Sequence, residues 1–218
     1  MKTYVGLAAM TLVMCASPAF ASTAISLVTP GPEAVEAHRT LGFEFSADNA
    51  QSITALGAYD SGRDGLAGAA TVGVWDLFGK LLASATVPSG TGGTLDGDFR
   101  FVAITPLALA VGQHYVVGSW DEFDLQTNWG VGPNGGTAAT NLNLSFYGDR
   151  FSNLGGGNPD FAYPDAGTGT HGARLGANFI IERTAAGQPV PEPGSWALML
   201  VGFGLLGGAV RRRRLVAT

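Results

Sequence analysis

Apolar and polar residues alternate at period two through the middle of the chain. Leu41, Phe43 and Phe45 are separated by Gly42, Glu44 and Ser46, the pattern of a strand that buries one face. The same reading predicts strands over residues 53–59, 71–77, 80–87, 98–104, 114–120 and 176–182. Turn chemistry separates them: Asp64-Gly65, Phe78-Gly79-Lys80, Pro88-Ser89-Gly90 and Val111-Gly112-Gln113 interrupt the alternation where the chain must reverse. Seven or more short strands without an amphipathic helix predict an all-β fold, an antiparallel β-sandwich of jelly-roll or immunoglobulin-like type. A closed barrel is the alternative, and the uneven strands and linkers count against it. Residues 34–40 have room for a single helical turn.

Both ends break the pattern. Lys2 precedes an apolar stretch of twelve residues, 5–16, and Ala19-Phe20-Ala21 follows as an A-x-A cleavage site. This is the order of a secretory signal peptide, 1–21, with the mature chain starting at Ser22. Twelve apolar residues are too few to span a hydrocarbon core of about 30 Å. The single cysteine, Cys15, lies in that stretch. The mature body therefore has no disulfide, no thiol nucleophile and no cysteine-based zinc site.

At the other end Pro191-Glu192-Pro193 sits in a short extended segment, 190–194. An uncharged run, 195–210, reads as a transmembrane helix, and Arg211, Arg212, Arg213 and Arg214 begin a cytoplasmic tail, 211–218. Trp196 suits the outer interface. Residues 196–210 rise only about 22 Å as a helix, short for a permanent anchor. A single-pass anchor on a proline-rich stalk is the alternative.

The three-part order of Pro-Glu-Pro, a short helix punctuated by Gly202, Gly204, Gly207 and Gly208, and a terminal arginine cluster resembles the PEP-CTERM sorting signal of Gram-negative bacteria. The resemblance implies recognition by exosortase, a cysteine-type transpeptidase of the inner membrane, and cleavage near Pro191, Glu192 and Pro193. The body would pass from a transient inner-membrane hold to the cell surface or an exopolysaccharide matrix. A second set of segments, 41–45, 54–60, 64–66, 72–76, 81–87 and 115–118, resembles an uncharacterised β-sandwich domain that recurs in such proteins. That resemblance implies a fold and an extracellular habit, and no catalytic residues.

Charge narrows the partners. The body, 22–189, holds 16 Asp and Glu against 7 Lys and Arg, a formal charge of −9, with Lys80 as its only lysine. Such a surface is poorly suited to phosphate backbones, so nucleic acid is not an expected partner. Charged residues at 13% and 33 glycines exclude a coiled coil or a lysine- and glutamate-rich bundle.

Residues 121–175 are the least regular part, with 11 glycines and seven aromatics. Leu142, Leu144 and Phe146 alternate within 141–147 and predict one strand hidden there. Trp129, Tyr147 and Tyr163 stand beside glycine, Asn or Asp and are the candidates for stacking on sugar rings, while packing over an open end of the sandwich is the plainer use of such residues. Exopolysaccharide is thus a candidate partner.

Metal chemistry is thinly signalled. Asp60-Ser61-Gly62-Arg63-Asp64-Gly65 places carboxylates at positions one and five and glycine at six, as a calcium loop requires. Position three is Gly62 and position twelve is Thr71, so Asp60 and Asp64 lack the remaining ligands; a local turn whose carboxylates accept backbone N–H groups is the other reading. Ca2+ is the one cofactor the chain suggests. Asp121, Glu122 and Asp124 form a second acidic group, which a glycan-cleaving enzyme could use as an acid pair. His38, His114 and His171 form no HExxH, and no GxSxG or Walker loop occurs. The sequence therefore predicts an exported, non-enzymatic protein, structural or exopolysaccharide-associated.

Overall fold

The computed structural model describes residues 21–34, 39–121, 126–129, 136–152, 161–167 and 173–183; of Ala34, 126–129 and 173–174 it describes the backbone. These residues belong to the first of two units, 1–184 and 185–218. The leader up to Phe20, the sorting segment, the 195–210 run and the arginine tail lie outside them. Among the described residues no helix is long and apolar enough to cross a membrane.

Among the described residues fifteen strands follow in order: β1 Ala21–Thr23, β2 Ile25–Thr29, β3 Glu33–Ala34, β4 Leu41–Ala47, β5 Gln51–Tyr59, β6 Ala70–Asp76, β7 Leu81–Val87, β8 Thr94–Asp96, β9 Phe99–Leu109, β10 His114–Trp120, β11 Gln126–Trp129, β12 Thr137–Thr140, β13 Leu144–Phe151, β14 Ala173–Leu175 and β15 Ala177–Arg183. A short 3-10 turn covers Ser61–Arg63. Two five-stranded sheets carry the fold, one ordered β1-β15-β5-β9-β8 and the other β13-β4-β10-β6-β7. Their strand pairs are antiparallel throughout. Smaller ladders β14-β11-β3 and β12-β2 complete the set. The expected antiparallel sandwich is the observed architecture, with both main sheets open.

All eight strands expected from alternation are present, because each sets an apolar row against the other sheet. Phe43 and Phe45 of β4 meet Phe179 of β15, with ring centroids 6.3 and 4.6 Å apart. Ile53, Leu56, Val72, Val74, Phe99, Val117 and Ile181 extend the same buried layer. Burial of this kind contributes about 25 cal/mol per Å² of apolar surface. The hidden strand is β13, beginning three residues later than the pattern placed it. Asn141 is spent on a turn, its Oδ1 accepting the Asn143 N–H at 3.0 Å.

The β6–β7 hairpin shows how the turns are built. Asp76 Oδ1 accepts the N–H groups of Phe78 and Lys80, both at 2.9 Å, and Gly79 takes φ 83°, a conformation that costs glycine little. Inside the sandwich Asn178, fully buried, donates to the Ile25 carbonyl at 2.7 Å and accepts the Ile25 N–H at 3.2 Å. That exchange fastens β2 to β15 and satisfies a polar side chain that would otherwise be costly to bury. Of residues 34–40, where a helical turn was expected, Ala34 belongs to β3 and 35–38 lie outside the described residues.

Candidate functional site

Strand β4 presents Phe43 and Phe45 inward, so Gly42, Glu44 and Ser46 occupy the outer face of the second sheet. Register sets Val116 and Gly148 opposite Glu44, and Gly118 and Arg150 opposite Gly42. His114 lies opposite Ser46, and Gly73 opposite Gly118. Gly42, Gly118 and Gly73 therefore form one row across three strands, bounded by a polar group built from Glu44, Ser46, His114 and Arg150.

Gly118 and Gly73 of this row form the seat of a strap, residues 161–167, while Gly42 faces the Val117–Gly118 backbone of β10. Ala162 N–H donates to Thr40 Oγ1 at 2.9 Å, and Phe151 and Ala166 exchange backbone bonds of 2.8 and 3.0 Å. A side-chain carbon at Gly118 would lie 2.8 Å from Thr40 Cγ2 and 3.3 Å from Pro164 Cγ. At Gly73 it would lie 2.6 Å from the Trp75 ring and 2.7 Å from the Phe161 ring. Phe161 and Tyr163 pack on Trp75 at 5.2 and 6.3 Å between centroids. Tyr163 donates its hydroxyl to the Leu77 carbonyl at 3.1 Å, and burial pushes that hydroxyl's pKa up. Tyr163 thus pins the strap to the β6–β7 hairpin.

Beside the strap the sheet is open. Glu44 Oε1 lies 2.6 Å from His114 Nδ1, while its Oε2 accepts from Arg150 Nε at 3.0 Å and from Arg150 Nη2. Burial raises the Glu44 pKa, but hydrogen bonds from Arg150 and then His114 outweigh it and hold the carboxyl below its ordinary value. A bulge in β13 falls between Phe146 and Gly148, with Gly148 at φ 142°. The extra residue, Tyr147, is thereby aimed across the face. Its ring stacks on His114 with centroids 4.2 Å apart, its hydroxyl lies 3.1 Å from Ser46 Oγ, and it stays 43% exposed. Glu44, Tyr147, Gly148, Asp149, Arg150 and Gly167 line an open depression of about 200 Å³. Such a surface offers an aromatic plane beside carboxylates and a guanidinium.

Of the three aromatic candidates, Tyr147 reaches this depression and Tyr163 is committed to the strap. Trp129 has its backbone in β11, and its side chain lies outside the described residues. Glu44, His114 and Arg150 come together from positions 70 and 106 residues apart. Alternation could place Glu44 and His114 on a polar face, but no local pattern signals their meeting.

The Asp60 loop turns inward. Asp60 Oδ2 accepts from Arg100 Nε at 2.6 Å, its Oδ1 accepts the Gly65 N–H at 3.1 Å, and the two side chains are 1% and 5% exposed. Arg100 also donates to the carbonyls of Gly93 and Arg63 at 3.2 and 3.3 Å. Asp64 is exposed. Among the described residues no group of three or more His, Cys, Asp or Glu is arranged to hold a metal ion. The carboxylate contacts seen at Asp60 are those of a turn tied to a buried guanidinium. Asp121 is buried, and Glu122, Asp124, His38 and His171 lie outside the described residues.

Comparison with known families bears on both halves of the chain. Residues 28–123, which include β4 to β10 and hence Glu44 and His114, match a domain of unknown function (DUF4082). Residues 189–214 match the PEP-CTERM protein-sorting motif, which implies export and sorting to the cell envelope or surface. No curated protein matches the chain. Joined to the sandwich described above, these matches make the chain a PEP-CTERM sorting-signal protein, an exosortase substrate with an uncharacterised β-sandwich body.

Proposed function

We propose that the body serves, once exported, as a non-catalytic module of the cell surface or extracellular matrix that contacts exopolysaccharide through the outer face of the second sheet. The observation that carries this reading is the Tyr147 ring, stacked on His114 and open to solvent beside Glu44, Asp149 and Arg150. A pyranose ring presents an apolar face for Tyr147, and its hydroxyls suit the carboxylates and guanidinium around it. A glycosidase needs a carboxyl held protonated at working pH, and Glu44 is biased the opposite way. In this reading the 195–210 run and Arg211 to Arg214 hold the precursor briefly in the inner membrane, and exosortase cuts near Pro191, Glu192 and Pro193.

Two measurements test it. Intact mass of the protein from the host's medium should give a chain that begins at Ser22 and ends near Pro191, and alteration of Pro191, Glu192 and Pro193 should leave the full tail in the membrane fraction. The processed protein should then bind the host's own polysaccharide, with Tyr147→Ala weakening it about tenfold. Absence of binding would remove the glycan reading, and release of reducing ends would replace it with an enzymatic one.

A further inference from the structure

Strand register gathers most of the exposed apolar side chains at one end of the sandwich. In the second sheet that end holds the close of β4 and β6 and the start of β7, β10 and β13. There Ser46 pairs with His114, Ala47 with Leu144, Asp76 with Tyr115 and Trp75 with Leu81. In the first sheet Gln51 pairs with both Leu109 and Arg183. Turns join the two sheets here: Gly112 N–H donates to the Ala47 carbonyl at 2.9 Å, and Arg183 Nη2 donates to Asn143 Oδ1 at 2.7 Å. Three of these turns carry apolar tips, Leu77 and Phe78 between β6 and β7, Val111 between β9 and β10, and Leu142 between β12 and β13. Phe78 is 97%, Leu142 95% and Val111 59% exposed, and Leu81 is open beside the first tip. Among the described residues this end holds five of the eight large apolar side chains left exposed. The turns are built to project them. Asp76 fixes the first by its bonds to the Phe78 and Lys80 N–H groups, and Asn141 fixes the third through the Asn143 N–H. A concentration of this kind differs from the single apolar residues scattered over any surface.

We infer that this end is a membrane-docking face, seated on an anionic phospholipid bilayer with the Phe78, Val111 and Leu142 tips in the headgroup layer. The inference rests on the membrane hold of the precursor proposed above and is independent of the glycan reading. The path of the chain selects this occupant. Ala21 pairs with Glu182, and β15 ends beside that pair at Arg183, so both routes out of the body leave from the end that bears the tips. Residues 184–194 number eleven and extend at most about 40 Å before the 195–210 run begins. Charge points the same way. Among the described residues the exposed charges at this end are Lys80 and Arg183 against Asp48, while the opposite end exposes Glu33, Asp64 and Asp96 against Arg63. A body with 16 acidic against 7 basic residues is repelled by anionic lipid, and this is the end whose cations suit lipid phosphates. Separate tips also suit a fluid layer that closes around each, and they give a protein partner no continuous packed core. A few apolar side chains attach only marginally and reversibly, so docking depends on the high effective concentration that the tether supplies. Cleavage near Pro191, Glu192 and Pro193 removes the tether and lets the body leave.

Labels placed on the tail-bearing chain, with the leader removed, in vesicles of phosphatidylethanolamine and phosphatidylglycerol test this. Cys15 leaves with the leader, so Phe78→Cys, Val111→Cys and Leu142→Cys each carry one fluorescent label. Leu95→Cys, also exposed but at the opposite end, is the control. Nitroxide-bearing lipids should quench the first three labels and spare the fourth. Phe78→Ser combined with Leu142→Ser should lower the docked-to-undocked ratio seen by the Val111 label about tenfold, at an unchanged melting midpoint. Three labels quenched no more than the fourth, in a chain that resists alkaline extraction, would overturn the inference and leave the membrane hold standing. Extraction of the whole chain by alkali would remove the hold and the inference with it. Quenching that the double variant leaves unchanged would also overturn it. So would shielding of the tips without lipid at high protein concentration, which would assign them to a second copy.

Discussion

Asp60–Arg100 and Glu44–Arg150 use the same chemistry, a carboxylate accepting from a guanidinium Nε, at 2.6 and 3.0 Å. They differ in what the remaining arms do. Around Asp60 those arms go to backbone groups of Gly65, Gly93 and Arg63, and neither side chain reaches solvent appreciably. Around Glu44 they go to another side chain, His114, a third exposed and roofed by Tyr147. A pair sealed by backbone defines a loop; a pair that ends in side chains at the surface leaves polar edges for a ligand. The loop that looked like a metal site in sequence is of the first kind, and the cluster with no sequence signature is of the second.

That contrast can be broken most directly at Arg100. Arg100→Met leaves Asp60 buried without its cation and is expected to cost about 3–5 kcal/mol, while Asp60→Leu combined with Arg100→Met should recover most of the loss. Urea unfolding of the single and double variants measures both. If the single variant lost under 1 kcal/mol, roughly the worth of an exposed pair, the sealed pair would be no different from the open one. A smaller effect is expected at the glycine row. Gly118→Val forces a side chain against Thr40 and Pro164 and should cost about 1–3 kcal/mol, read from the same unfolding curves. It should also loosen the strap, seen as faster exchange of the Ala162 amide.

The open cluster predicts a pH dependence. Glu44 is held below the ordinary carboxyl value in the folded state. Its stabilising contribution is therefore fully present above the unfolded carboxyl pKa, about 4.3, and is lost as pH falls through the lower folded value. Plotted against pH, the melting midpoint should fall on the acid side, and Glu44→Gln should flatten that fall. An unchanged acid limb would mean the Arg150 and His114 contacts do not bias the carboxyl. The smallest effect belongs to Arg63, whose Nε–Asp98 bond at 2.8 Å lies on an exposed side chain. Arg63→Ala is expected to leave the melting midpoint where it is.

The sequence was most informative where one face alone meets the core. Phe43 and Phe45, and Val72 and Val74, alternate with small or polar residues because one row faces the opposite sheet and the other faces out, so period two was visible in both, whereas in β10 the outward Val116 is itself apolar and buried. β1, β3, β8 and β14 are two or three residues long, too short for a period to show. β12, Thr137–Thr140, is Thr-Ala-Ala-Thr, with little contrast between its faces. The sorting motif was fully legible, since its meaning lies in contiguous order. The Glu44 group was not, because its members meet through register between β4, β10 and β13, which no local window contains. The glycines of the row read as composition, and the shared role of Gly118 and Gly73 in seating Pro164 and Phe161 appeared once register set them side by side.

The β1–β15 ladder sets Ala21 opposite Glu182, so the chain enters and leaves the body at neighbouring points. Tension between those points pulls across the ladder instead of along it, and the backbone bonds of β1 break one after another rather than together. The resistance is that of a three-residue strand, with the Asn178–Ile25 exchange as the next barrier. In the precursor proposed above, with both ends held at a membrane, any force on the body would be borne at its weakest seam. Cleavage after Ala21, as expected from the A-x-A sequence, would free one end, and the seam would then carry no load.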